Sequence, residues 1–226
     1  MQRSAIWNLN SLWLFLCLSS VFLVYPLVSH HTIGRFLLDV LFSGTILLAI
    51  FATSSLPRSV HLAYVCLGIA GVVVPWLPLP RSFIATATPI IYSIFFAGSV
   101  IIYGRRLFAD DDVDIDKLLG ATCTYMLIGM FFATLYMTIL QFDPDAIRVP
   151  DSNEEEAICN MTYFSFVTLT TLGYGDVLPV SLGAKMLAAY EAVIGQIFVT
   201  VVVAVLVGNY VSRKERQRHI ENSRSS

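Results

Sequence analysis

A short run in the last third of the chain has residue types and spacing suited to binding a cation: Thr171-Leu172-Gly173-Tyr174-Gly175-Asp176. Its two glycines alternate with larger residues, and glycine readily adopts positive φ. Successive backbone carbonyls can therefore turn toward a single axis. A ring of such strands would offer cages of oxygen atoms that replace the hydration shell of a potassium ion. The run predicts a site in which backbone oxygens coordinate a cation.

The stretch before this run, residues 160–170, predicts a short helix that supports it. About a dozen mostly apolar residues are too few to span a bilayer as a helix, so we expect a re-entrant half-helix with Asn160 as its N-cap. Non-helical backbone at membrane depth persists only where protein buries it or water lines it. The carbonyl end of the half-helix, with about half a negative charge, would face the cation.

The composition places these elements in a membrane protein. Of the 226 residues, 56% are hydrophobic and 13% are charged, and the mean hydropathy is +0.72. Soluble domains carry about 25% charged residues. The four cysteines are widely and irregularly spaced, which fits neither a metal site nor a disulfide framework. These features exclude a soluble enzyme, a disordered chain and a nucleic-acid binder with a basic patch, so we expect no catalytic residue and no cofactor.

Apolar stretches predict an all-α membrane protein of six transmembrane helices, with the half-helix between helices five and six. A span needs about 20 mostly apolar residues. Six stretches qualify: Ser11–Val28, Phe36–Ala52, Val60–Leu77, Ile84–Tyr103, Leu118–Leu140 and Leu182–Val211. The first stretch could instead be a signal peptide, although its length favours a retained helix.

The basic residues predict the orientation, because Lys and Arg favour the cytoplasmic side. With a cytoplasmic N-terminus, ten of the 14 Lys and Arg residues fall inside and four outside. We therefore expect both termini in the cytoplasm and the connection Gln141–Ser181 outside. Its acids form a negative outer mouth or an ordinary solvated loop.

The run Thr168–Asp176 closely resembles the signature of the potassium-channel family, with Leu172 in place of the commoner Val. By that resemblance, the carbonyls of the selectivity filter bind K⁺, and the Thr171 hydroxyl completes the innermost site. Gly175 completes the filter. Tyr174 would point away from the axis, into an aromatic cuff. The residues assigned to coordination are Thr171, Leu172, Gly173 and Tyr174, and those assigned to support are Thr168, Thr170, Asp176, Tyr163 and Phe164.

The resemblance also implies a tetrameric channel with a single pore loop per chain. A voltage sensor needs repeated Arg residues in its fourth helix, but Ile84–Tyr103 has no charged residue. We therefore expect a four-helix unit without gating charges at 1–104, a cytoplasmic linker at 105–117, a pore domain at 118–211 and a basic tail at 212–226. The acidic residues of the linker do not match a calcium-binding EF-hand loop.

The sixth apolar stretch carries the candidates for a gate. Gly195 lies at the spacing of the family's hinge glycine, although close helix packing explains a glycine equally well, and Gly208 is a second candidate. A stripe that turns apolar toward the cytoplasm predicts a cavity wall with a hydrophobic gate, or else a face toward lipid or a neighbour. The stripe contains Gln196, Thr200, Ala204, Val207 and Val211.

Glu191 is an ionisable residue within a membrane helix, which makes it a functional candidate. It is equally expected to pair with Lys185 or to form hydrogen bonds around the filter. The basic run Arg213–Arg218 fits contact with anionic lipids, although the general excess of positive charge on the cytoplasmic side explains it more simply.

Together these features predict a homotetramer in the plasma membrane that conducts K⁺ passively, is not strongly voltage-gated and binds no nucleic acid. The alternatives are a non-selective cation channel, a regulatory subunit of another channel and a K⁺-translocating subunit of a transport system. The last usually carries several filter-like repeats in one chain, whereas this chain has one.

Overall fold

The computed structural model describes residues 12–20, 23, 44–47, 50, 57–107, 115–149 and 157–225. Nearly all of this part is helical. Its elements, in chain order, are α1 (Arg58–Val73), a short 3₁₀ turn (Val74–Trp76), α2 (Arg81–Leu107), α3 (Ile115–Phe142), β1 (Ile147–Arg148), α4 (Ala157–Leu169), β2 (Leu178–Pro179) and α5 (Leu182–Ser225).

Four helices are long and apolar enough to cross a membrane, namely Arg58–Trp76, Arg81–Leu107, Lys117–Phe142 and Leu182–Asn209. They coincide with the third to sixth predicted stretches, so a mostly helical membrane fold is confirmed for this part of the chain. Of the first two stretches, residues 12–20 and 44–47 are helical, and most of the remainder lies outside the described residues.

Prolines set the boundary between α1 and α2. A proline lacks the backbone N–H that a helix interior needs, and Pro75 stands at the start of the 3₁₀ turn that follows α1. Pro78 and Pro80 then precede Arg81, where α2 begins. Within α2 a further proline, Pro89, is accommodated, and its carbonyl accepts a hydrogen bond from the Ser93 hydroxyl at 2.8 Å.

Two large hydrophobic cores and one small cluster, formed by Leu107, Ala121 and Val202, hold the described helices together. One packs α1 and α2 against α3, and in it the rings of Tyr64 and Phe95 stack with centroids 4.5 Å apart. The Ser93 hydroxyl also lies 3.0 Å from that of Thr134, which ties α2 to α3. The second core joins α3, α4 and α5, and it contains Ile128, Phe132, Tyr136, Ala146, Ile147, Met161, Phe164, Leu169, Val177, Ala184 and Ala188.

A two-stranded antiparallel sheet brings together the two ends of the connection between α3 and α5. Ile147 pairs with Pro179, and Arg148 pairs with Leu178. Beside these pairs, the N–H groups of Val180 and Ser181 both donate to the carbonyl of Ala146. The chain between the strands, which includes α4 and residues 171–176, is thus fixed at its base.

Candidate functional site

The short helix α4 is anchored between α3 and α5 by buried apolar side chains. Met161 and Leu169 are fully buried, and the ring of Phe164 packs edge-to-face on Tyr136 with centroids 4.8 Å apart. The helix has 13 residues, fewer than the roughly 20 that a span requires. It begins at Ala157, one turn before the expected start, so the prediction of Asn160 as N-cap is wrong.

After α4 the backbone turns back on the helix through its N–H groups. The N–H of Thr171 donates to the carbonyl of Thr168 at 2.9 Å, and those of Leu172 and Gly173 donate to Val167 at 2.9 and 3.3 Å. In a trans peptide the C=O points opposite to the N–H of the next residue, and no cis bond occurs among the described residues. Three successive carbonyls, those of residues 170–172, therefore point away from α4.

Positive φ alternates along this segment. Thr171 has φ +60°, Gly173 +59° and Gly175 +78°. The two glycines were expected to take this conformation, but Thr171 was not, because a β-branched residue rarely adopts positive φ. Such a conformation costs about 1–3 kcal/mol and persists only where the surroundings impose it. The hydrogen bond of its own N–H to Thr168 is one such restraint.

The run Thr168–Asp176, which we call the signature segment, contacts α5 through Thr171. The amide Nε2 of Gln196 lies 3.3 Å from the hydroxyl oxygen of Thr171. The Thr200 hydroxyl in turn donates to the carbonyl of Gln196 at 2.7 Å. The first two residues of the predicted cavity stripe thus lie on the helix face directly below the segment.

At the other end of the signature segment, Asp176 is held by two hydrogen bonds. The Tyr163 phenol donates to one carboxylate oxygen at 2.7 Å, and the N–H of Val177 donates to the other at 3.0 Å. The hydrogen bond from Tyr163 lowers the pKa of Asp176, and the same bond raises the pKa of Tyr163 to about 12.

The predicted aromatic cuff is not formed within one chain. Phe164 is buried against Tyr136, Tyr163 reaches Asp176, and Tyr174 is 68% exposed. Among the described residues Tyr174 shares no ring contact with the other two. The cuff therefore stays a prediction that concerns an assembly of chains.

The other support residues lie where α4 ends. The Thr170 hydroxyl donates back to the carbonyl of Phe166 at 2.7 Å, and Thr168 contributes the carbonyl that receives the N–H of Thr171. Both residues thus stabilise the turn that follows the end of α4.

Gly195 lies where α5 passes the end of α4. A Cβ atom at this position would meet the carbonyl oxygen of Leu169 at 2.3 Å and its Cδ1 at 3.0 Å. The contact gives the glycine a packing reason, while its role as a hinge remains a prediction. Around Gly208, by contrast, nothing lies within 4 Å of an added Cβ.

The predicted stripe on α5 lies on an exposed face of the single chain. Gln196, Thr200, Ala204 and Val207 are all exposed, so this face is not packed against the rest of the described protein. The side chain of Val211 and those of the basic tail lie outside the described residues. The same holds for most of the acidic linker and for the outer acids of residues 150–156, whereas Asp143, Asp145 and Asp176 are described and exposed.

Glu191 is fully buried among α3, α4 and α5. The Tyr136 phenol donates to its Oε2 at 2.6 Å, and the Ser165 hydroxyl lies 2.5 Å from its Oε1. Lys185, the other expected partner, is exposed. Of the two expected interactions, hydrogen bonding beside the signature segment is the one observed.

Several residues of this site were not found from the sequence. The Tyr125 phenol of α3 donates to the carbonyl of Leu169 at 3.1 Å, and a Cβ at Gly129 would meet the Phe166 ring at 2.6 Å. Tyr136 and Ser165 belong with them. Nothing in an apolar stretch distinguishes such residues from others in the same span.

A family model described as "Ion channel" matches residues 122–212, which include most of α3, all of α4, the signature segment and the whole apolar part of α5. The match thus covers every contact described for this site.

Individual relatives match over about half of the chain or somewhat less. The voltage-gated potassium channel regulatory subunit KCNF1 of Rattus norvegicus is 28% identical over 108 residues, which are 47% of this chain and 20% of that protein. Protein LctB of Bacillus caldotenax is 29% identical over 119 residues, 50% of this chain and 87% of its own. Potassium voltage-gated channel subfamily A member 5 of Mustela putorius furo is 27% identical over 99 residues, 42% of this chain and 16% of its own. The chain therefore spans a fifth or less of the length of the two voltage-gated relatives.

Proposed function

Because the chain belongs to the potassium channel family, we propose that it is a K⁺-selective channel subunit whose signature segment is the selectivity filter. The observation that carries this proposal is the orientation of the backbone after α4. Three N–H groups bond back to the helix, and so the carbonyls of residues 170–172 face the opposite side. Oxygens in such an array can replace the hydration shell of K⁺.

The proposed pore requires four copies of the chain. One chain supplies one strand of carbonyls, whereas the oxygen cages of a K⁺ filter are built from four loops. In the single chain every residue from Thr170 to Asp176 is exposed. Packing of neighbouring copies around a common axis would cover Tyr174 and leave the carbonyls facing the ion path. A homotetramer in the plasma membrane, with both termini in the cytoplasm, satisfies these requirements.

Ions would pass from the filter into a cavity lined by α5. Gln196 and Thr200 supply polar groups directly below Thr171, and Ala204, Val207 and Val211 follow toward the cytoplasm. An apolar constriction there would close the path by dewetting. We assign gating motion to the part of α5 near Gly195 or Gly208, and anionic-lipid contact to the basic tail. Conduction is passive, with K⁺ as the permeant ion and no catalytic step.

A regulatory subunit is the second candidate function. It is favoured by the similarity to KCNF1, which is by name a regulatory subunit. The two functions differ in one respect, because a regulatory subunit would not conduct on its own. A non-selective cation channel is separated from both by its Na⁺ permeability.

The test is a flux assay with the purified chain alone in liposomes, comparing K⁺ with Na⁺ and using Ba²⁺ as a blocker. We expect K⁺ flux that Ba²⁺ blocks and much slower Na⁺ flux. Equal flux of the two ions would contradict selectivity, and absence of flux in every condition would support the regulatory function.

A pair of glycine variants ties the flux to the filter backbone. Gly173→Ala places a side chain at φ +59°, whereas Gly183→Ala lies in a helix, and in both cases nothing lies within 4 Å of the added Cβ. We expect Gly173→Ala to abolish selective flux and Gly183→Ala to retain it. Selective flux through Gly173→Ala would contradict the assignment of the filter.

A further inference from the structure

Three hydrogen-bond contacts form one chain of buried groups behind the signature segment. The Tyr136 phenol oxygen lies 2.6 Å from Oε2 of Glu191, and the Ser165 hydroxyl oxygen lies 2.5 Å from Oε1. The same Ser165 oxygen lies 2.7 Å from the carbonyl oxygen of Gly129. The contacts thus lead from Tyr136 on α3 to Glu191 on α5, then to Ser165 on α4, and return to α3 at Gly129.

The number of protons in this chain decides the form of Glu191. Each contact needs one proton between its two oxygens, and a backbone carbonyl can only accept. The hydroxyl of Ser165 has a single proton, and the contact with Gly129 requires it. The proton between Ser165 and Glu191 must therefore come from Glu191. An ionised carboxylate would leave two acceptor oxygens facing each other without a proton.

The surroundings of Glu191 fit a neutral group. The side chain is fully buried, and a buried charge is unfavourable unless a partner of opposite sign compensates it. In the described part of the chain, three hydroxyl groups face it. The Tyr136 phenol on α3 and the Ser165 hydroxyl on α4 contact it, and the Tyr125 phenol on α3 lies further away. No Lys, Arg or His of this part forms an ion pair with it.

We propose that Glu191 is a positioning residue that acts as a neutral carboxylic acid, donating a hydrogen bond to Ser165 and accepting one from Tyr136. It thereby fixes α4 against both long helices. Ser165 lies two residues before Val167, whose carbonyl receives the N–H groups of Leu172 and Gly173. Glu191 therefore fixes the position of α4, and the position of α4 determines where the filter carbonyls point. The effect on permeation rests on the proposed function, whereas the proton on Glu191 does not.

Infrared spectroscopy of the purified chain in liposomes tests the proton directly. We expect the spectrum of the wild type minus that of Glu191→Gln to contain the C=O stretching band of a protonated carboxylic acid at neutral pH. A difference spectrum that contains carboxylate bands instead would overturn the proposal, whether or not the protein conducts. A wild type that shows this band but no K⁺ flux would contradict the proposed function alone.

The ratio of K⁺ to Na⁺ permeability tests the positioning role. Gln can donate its amide N–H to Ser165 and accept from Tyr136, so we expect Glu191→Gln to retain the wild-type ratio. Glu191→Ala removes both hydrogen bonds that hold α4 through this side chain, so we expect its ratio to fall by about tenfold or more. Ser165→Ala removes the contact between α4 and Glu191 from the other side, and it replaces Glu191→Ala in this test if that variant does not fold.

Lys185→Gln is the matched control, since it removes the alternative partner of Glu191 while leaving the buried contacts intact. We expect it to keep the wild-type ratio. The positioning role is overturned if Glu191→Gln loses selectivity as severely as Glu191→Ala, or if both alanine variants keep it.

Discussion

The phenol of Tyr163 donates a hydrogen bond to the carboxylate of Asp176 across 2.7 Å, so a residue of α4 holds the C-terminal end of the signature segment. The bond requires a protonated phenol and is strongest when the carboxylate is ionised. It lowers the pKa of Asp176 and raises that of Tyr163 to about 12. The contact is therefore strongest over a defined range of pH.

The first prediction concerns the acid limit of that range. A lowered folded-state pKa means that Asp176 contributes stability above its usual pKa of 3.8, and that this is lost as pH falls through the folded value. Tyr163→Phe removes the donor, so Asp176 should be protonated at a higher pH. We expect the loss of K⁺ flux on acidification of the outer solution to shift to higher pH in this variant.

The control for this prediction is Asp176→Asn, which removes the titrating group and should remove that acid transition. On the alkaline side, the contribution of Tyr163 is complete below its usual pKa of 10.0 and is lost as pH rises through about 12. Identical acid profiles for the wild type and Tyr163→Phe would show that the hydrogen bond has no role in flux.

The second prediction concerns the approach of α5 to the end of α4. Gly195→Ala would place a Cβ 2.3 Å from the carbonyl oxygen of Leu169, and overpacking of this kind costs about 1–3 kcal/mol. Gly208→Ala meets nothing within 4 Å and gains up to about 1 kcal/mol of helix propensity. We expect thermal unfolding in detergent to occur at a lower temperature for Gly195→Ala and at the same or a higher temperature for Gly208→Ala. Equal stability of the two variants would show that Gly195 has no packing requirement.

The local parts of the site could be predicted from the sequence, and its tertiary supports could not. Glycines at 173 and 175 and the short apolar stretch before them are local patterns, and their backbone conformation follows from residue type. Positive φ at Thr171 contradicts the preference of its residue type, and it accompanies the hydrogen bond of its N–H to Thr168 and the contact of its hydroxyl with Gln196.

The supports depend on the packing of three helices that are distant in the sequence. Tyr136 and Glu191 are 55 residues apart, and Ser165 and Glu191 are 26 apart. The sequence offered two partners for Glu191 because a carboxyl group suits an ion pair and a hydrogen bond equally. Only the arrangement of α3, α4 and α5 decides between them.

The third prediction concerns Tyr125, which the sequence did not identify. Its phenol donates to the carbonyl of Leu169, the last residue of α4, at 3.1 Å. Tyr125→Phe should destabilise the protein by about 0.5–1.5 kcal/mol, the net worth of one such hydrogen bond, and should reduce the ratio of K⁺ to Na⁺ permeability. Tyr190→Phe is the control, because Tyr190 is 61% exposed on α5, and we expect it to change neither quantity. A Tyr125→Phe protein with wild-type stability and selectivity would contradict a supporting role.

The last prediction concerns the response to voltage. The stretch Ile84–Tyr103 within α2 has no charged residue, and the arginines of this helix are Arg81 at its start and Arg105 and Arg106 at its end. The Arg106 guanidinium lies 5.9 Å from the centre of the Tyr103 ring, a distance at which a cation–π attraction holds it near that end. Motion of α2 would thus carry little charge through the membrane field.

One elementary charge that crosses the whole field gains about 2.3 kcal/mol per 100 mV, which is a roughly 50-fold change in an equilibrium. We expect the ratio of open to closed channels to change by less than this amount over the same interval in voltage-clamped bilayers, and Arg105→Gln with Arg106→Gln to leave it unaltered. A steeper response would require gating charges elsewhere and would contradict the interpretation of the first four apolar stretches as a unit without a voltage sensor's charges.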